Sequence, residues 1–105
     1  MIILPIYQNY KFHYEIMLDD VTYSFEFSWS VLNKTFLVSM KKLDSEYIFR
    51  KLALVPGIDL LKTSGIGELG KLRLIDTQDN NEQDPVSIED FNHRYALVYM
   101  SIEEL

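Results

Sequence analysis

The sequence predicts an all-β, mainly antiparallel fold: a small β-sandwich or partly open β-barrel with one short helical turn. Three observations lead there. Residues Tyr10 to Leu18 and Val21 to Ser30 alternate apolar and polar side chains with period two, the pattern of half-buried strands. Turn-forming pairs punctuate the chain at Asp19-Asp20, Asn33-Lys34, Asp44-Ser45 and Pro56-Gly57. The helical signals are short, confined to Ile58–Lys62 and a turn after Ser87. At 105 residues, 48% apolar and 13% aromatic, the chain is long enough for one packed core and too short for two, so residues 1–105 are read as a single domain.

The elements follow in order. Tyr10, Phe12, Tyr14, Ile16 and Leu18 form one face of the first strand and Lys11, His13, Glu15 and Met17 the other. Asp19-Asp20 turns the chain into a strand whose apolar face reads Val21, Tyr23, Phe25, Phe27, Trp29, so the two segments pair as a hairpin. After Asn33-Lys34, Thr35 to Lys42 places Phe36, Val38 and Met40 on one face. After Asp44-Ser45, Tyr47 to Val55 reads as a fourth strand, Ile48, Leu52 and Leu54 alternating with Phe49, Lys51 and Ala53, and residues 10–55 make a meander. Pro56-Gly57 stops it, and Ile58 to Gly70 reads as a connector. Leu72–Thr77 is a short strand and Gln78–Pro85 a polar, acidic loop. Ser87 is expected to cap a turn through Phe91, with Glu89 and Asp90 at its positive end. His93–Ser101 is the last strand, Tyr95, Leu97 and Tyr99 facing one way.

Composition excludes several classes of function. Without cysteine there is no disulfide, thiol chemistry, Cys-type zinc site or iron–sulfur cluster. The apolar run Ile2-Ile3-Leu4 is broken by Pro5 and lacks a basic flank, and no stretch reaches the ~18 apolar residues of a membrane helix, so an intracellular or soluble assembled state is expected. A net charge of −6 opposes nucleic-acid binding, which needs clustered Lys and Arg on phosphates. The charge is also polarised. Residues 33–73 hold eight basic side chains against four carboxylates, and the rest of the chain holds two against twelve, a distribution suited to oriented docking between proteins.

Two motifs resemble sites and fail on context. Gly65-Ile66-Gly67-Glu68-Leu69-Gly70 matches the dinucleotide fingerprint by letter, but a strand-like segment follows where a helix must present its N–H groups to the pyrophosphate, and Glu68 repels phosphate. Six carboxylates (Asp76, Asp79, Glu82, Asp84, Glu89, Asp90) crowd residues 76–90. Asp79, Asn81 and Gln83 alternate as in a calcium loop, yet Asp84 stands at the required glycine and Pro85 follows. Both stretches read better as contact loops. His13 and His93 lack the spacing of a metal pair, and no nucleophile elbow accompanies them. No catalytic, metal or cofactor residue is assigned, and the chain is read as a non-enzyme. The alternatives are a small-molecule or carbohydrate-binding β-barrel using Trp29 and its Tyr neighbours, and more distantly a hydrolase built on His13 or His93.

Four stretches then carry a family likeness: Tyr23–Trp29, the block Leu54-Val55-Pro56-Gly57-Ile58-Asp59-Leu60-Leu61, Leu72–Thr77 and Arg94–Tyr99. In their order the chain resembles the small baseplate plug proteins of contractile-tailed phages, typified by a cyanophage example. Asp84-Pro85 agrees with the pattern, while Ser30 and Phe36 stand where Asn and a second Trp are expected. The resemblance implies a virion component, made in the host cytoplasm, that closes the tail-tube channel within the baseplate hub until contraction. Its implied partners are hub, spike or tube proteins, and it is compatible with a homo-oligomer in the assembly. The expected partner-facing residues are Lys41 and Lys42, Ile66 and Leu69 in the glycine loop, and Asp79, Asn80, Asn81 and Glu82 in the acidic loop.

Overall fold

Two antiparallel sheets organise the chain in the computed structural model, which describes residues 1–62, 70–78, 84–85 and 87–104, with Asn92 and His93 described by their backbone alone. The larger sheet is the expected meander: β2 (Lys11–Leu18), β3 (Val21–Ser30), β4 (Thr35–Lys42) and β5 (Tyr47–Ala53), paired in sequence order. The smaller sheet takes β1 (Ile2–Leu4), β6 (Lys71–Asp76) and β7 (Tyr95–Met100) in the order β1-β7-β6, with a one-turn helix α1 (Asp90–His93) before β7. The sheets do not join into a closed barrel. A single apolar cluster takes side chains from both, so of the two predicted architectures the sandwich is the one formed.

The β2–β3 hairpin forms because its turn chemistry and its alternation agree. Asp19 (φ 52°) and Asp20 (φ 67°) both adopt left-handed backbone, as a two-residue type I′ turn requires and as Asp tolerates. The register sets Phe12 opposite Phe27, Tyr14 opposite Phe25 and Ile16 opposite Tyr23, so every aromatic of this hairpin's inner face meets another apolar group. Phe12 and Phe27 stack with ring centroids 4.5 Å apart, and Phe36, Val38 and Met40 of β4 continue the face fully buried. Their partners on the smaller sheet are Leu4, Leu72, Leu74, Leu97 and Tyr99.

Three features depart from the sequence reading. Ile2-Ile3-Leu4, read only as an apolar run, pairs with Leu97–Tyr99 and makes β7 a central strand, which is why Val98 on its outer face is also buried. Strict alternation fails in β5, where two register shifts against β4 leave both Phe49 and Leu52 on the core side. Lys51 there takes φ 50° and donates its backbone N–H to Ser39 Oγ at 3.0 Å. The Ser87 hydroxyl does not cap α1. Instead the Ser87 backbone N–H donates to Asp90 Oδ2 at 3.1 Å, because the helix begins at Asp90 and its short carboxylate reaches back over the entering chain.

The block Leu54–Leu61 is the passage between sheets. Leu54, Leu60 and Leu61 are buried, and Gly57 turns the chain at φ 82°. Asp59 Oδ1 accepts N–H bonds from both Leu61 and Leu72 at 3.1 Å. Isolated bridges from Pro56 to Leu74 and from Asp59 to Arg73 lay this segment along the free edge of β6.

Candidate interaction surfaces

The two motif-like stretches are explained by structure as far as the described residues reach. β6 follows Gly70 directly, so the fingerprint opens a strand and lacks the helix that dinucleotide binding needs. Gly70 itself answers to packing: a Cβ there would stand 1.7 Å from the Met100 carbonyl oxygen, and its N–H donates to the Tyr99 hydroxyl at 3.2 Å. That hydroxyl donates to Asp19 Oδ2 at 2.5 Å and so ties the β2–β3 turn to the smaller sheet. Burial, together with the hydrogen bond to Asp19, pushes the Tyr99 pKa up to about 12.

In the acidic run, Asp76 is committed to the fold. Its carboxylate is fully buried and pairs bidentately with Arg94, through Nε at 3.0 Å and Nη2 at 2.7 Å, while the Gln78 N–H donates to it at 3.1 Å. Arg94 lies four residues past the acidic stretch, and sequence spacing offered no sign that it would turn back to Asp76. Asp90 is engaged by the Ser87 N–H. Among the described residues no group of three His, Asp or Glu side chains is placed to hold a metal ion.

Of the residues expected to face partners, Lys41 and Lys42 are described; Ile66, Leu69, Asp79, Asn80, Asn81 and Glu82 lie outside the described residues. Strand geometry separates the two lysines. Lys42 stands opposite Tyr23 and is exposed, whereas Lys41 stands opposite Ser24 on the outer face. There Lys41 Nζ lies 5.6 Å from the Tyr47 ring centroid and Arg50 Cζ 4.1 Å from it, while the Tyr47 hydroxyl donates to Glu26 at 3.2 Å. Beside this network the outer face holds a shallow depression of ≈ 710 Å³ lined by Lys11, His13, Glu26, Leu37, Ser39 and Lys51. Three basic side chains of residues 33–73, Lys41, Arg50 and Lys51, thus come together near Lys11 on the larger sheet. His13 is exposed there and stands opposite Glu26 across the β2–β3 pair.

A second surface surrounds Trp29, which is half-buried and packs edge-on against Phe36 (centroids 5.1 Å apart) and Phe91 (6.1 Å). Its remaining flank lines a cleft of ≈ 340 Å³ with Tyr10, Val31, Lys34, Ser87, Ile88 and Glu89. Next to this cleft the β3–β4 turn projects two aliphatic side chains, Val31 (82% exposed) and Leu32 (90%). The turn is held internally. The Asn33 N–H and Nδ2 donate to Ser30 Oγ at 3.1 and 3.0 Å, the Lys34 N–H donates to the Ser30 carbonyl at 2.8 Å, and Lys34 sits at φ 56°. Sequence reading marked Asn33-Lys34 as the turn and did not single out Val31 and Leu32.

No helix among the described residues is long and apolar enough to cross a membrane. Comparison with protein families matches residues 1–103 to the family described as "Cyanophage baseplate Pam3 plug gp18". No curated protein matches the chain.

Proposed function

Because the chain belongs to the cyanophage baseplate plug family, we propose that it closes the tail-tube channel within the baseplate hub of a contractile phage or phage-like particle until contraction. Family membership makes it a structural component of the phage baseplate that meets other baseplate components, and the match over residues 1–103 is the observation that carries the proposal. In this reading the chain acts as one β domain and without catalysis. Its partners are hub, spike or tube proteins, and it acts singly or as a homo-oligomer in the assembly.

The residues support the reading in physical terms. A plug must be gripped by preformed partners and must stay folded while they move. A sandwich stapled by the Tyr99–Asp19 and Asp76–Arg94 pairs meets the second need. The basic outer face around Lys41, with Lys42 at the strand end and Ile66, Leu69, Asp79, Asn80, Asn81 and Glu82 in the two contact loops, supplies opposed charge and apolar groups for the first.

The test is the position of the chain in whole particles. Cryo-electron microscopy of uncontracted tails is expected to show its density on the tube axis at the baseplate end, and contracted tails are expected to lack it there. Density at the baseplate periphery, or axial density unchanged by contraction, would refute channel closure while leaving a baseplate role intact.

A further inference from the structure

We propose that the β3–β4 turn is a docking knob: Val31 and Leu32 insert into an apolar recess on a different protein of the same particle. The proposal rests on the baseplate reading and adds to it the surface by which the chain is held. Turn positions ordinarily carry Gly, Asn, Asp or Ser, whose short side chains satisfy backbone groups, and nothing in the geometry of this turn requires branched aliphatic residues. Ser30 and Asn33 already supply those bonds, and Val31 and Leu32 are 82% and 90% exposed. Tyr10, 68% exposed beside them, extends the apolar surface. A single exposed Leu is ordinary, whereas adjacent exposed apolar residues on an internally bonded turn form a preorganised contact that loses little entropy on binding.

The kind of partner follows from size and charge. Two aliphatic side chains and one tyrosine fall well short of the ~800 Å² per partner that a stable interface buries, so the knob is an anchor within a larger contact and not a self-sufficient dimer face. A lipid surface is disfavoured by the net charge of −6, with Lys34 the one cation lining the neighbouring cleft among the described residues. What remains is a concave apolar site on another protein, able to receive a branched side chain.

The full-length chain would be titrated against each purified baseplate protein of its particle, as wild type, as the double variant Val31→Ser with Leu32→Ser, and as Ile102→Ser, an exposed apolar control beyond β7. The double variant is expected to melt like wild type and to bind one component at least ten-fold more weakly, while Ile102→Ser binds normally. Undiminished binding of the double variant to every component would overturn the knob and leave the baseplate reading standing. Failure of the wild type to bind any component would overturn both. Two further outcomes would also overturn the proposed occupant: self-association of the wild-type chain that the double variant abolishes, or Val31- and Leu32-dependent binding to phosphatidylcholine–phosphatidylglycerol vesicles.

Discussion

Lys51 and Gly70 show how far single residues depart from what their type suggests. Lys51 occupies left-handed backbone at φ 50° in a strand bulge, a conformation that an L-residue adopts at a cost of roughly 1–2 kcal/mol. Lys51→Gly should therefore leave stability unchanged or raise it, whereas Lys51→Val, β-branched and less tolerant of positive φ, should lower it by about 1–2 kcal/mol in urea denaturation. Gly70 has no such latitude. Because any Cβ would collide with the Met100 carbonyl, Gly70→Ala should part β6 from β7 and abolish the cooperative melt. The sequence offered no sign of either. A lysine in a strand-like run looks like any other, and Gly70 first drew notice as the last letter of a nucleotide motif.

At the scale of elements, connections matter more than strands. The passage Leu54–Leu61 carries the chain from the larger sheet to the smaller and seals the β6 edge through Asp59. Asp59→Ala should destabilise by about 1–3 kcal/mol, since the Leu61 and Leu72 N–H groups lose their acceptor. Asp59→Asn, which keeps a carbonyl oxygen, should lose less, and thermal melts of the pair would separate the two. β7 is anchored similarly by Arg94. Removing that cation in Arg94→Ala strands the buried Asp76 carboxylate, and a loss of about 3–5 kcal/mol is expected from chemical denaturation. Sequence placed both Asp59 and Arg94 within family-like stretches, but Leu72 lies 13 residues from Asp59 and Asp76 lies 18 from Arg94, and these pairs form only once the sheets are assembled.

For the molecule as a whole, the Tyr99–Asp19 bond joins the two sheets and gives stability a pH dependence. Burial and the hydrogen bond to Asp19 hold the hydroxyl protonated up to about pH 12 in the folded chain, against 10.0 for ordinary tyrosine. The unfolded chain therefore releases this proton first. Stability is at its full value below pH 10 and falls as pH rises from 10 towards 12. Tyr14 and Tyr95 are raised in the same direction, chiefly by burial, and add to the alkaline loss. Tyr99→Phe should be less stable at pH 7, where it lacks the bond, and should lose less stability on going to pH 11; denaturation midpoints at the two pH values test both parts.

The meander is legible in the order of residues alone. The alternation of β2 and β3, the Asp19-Asp20 turn and the apolar face of β4 are local properties, read within a few residues, and each points to the same strand and the same buried face. The sequence also carried the family likeness that residues 1–103 bear out. That Ile2–Leu4 is a strand follows from long-range packing, since these three apolar residues become a strand when β7 lies beside them, some ninety-five positions along the chain. Tertiary structure also decided that β5 breaks its alternation, that Lys41 and Lys42 part to opposite faces, and that Val31 and Leu32 stand exposed. Each depends on what packs against a residue from a distant part of the chain, or on nothing packing there at all, and neither is written in the residue's immediate neighbours.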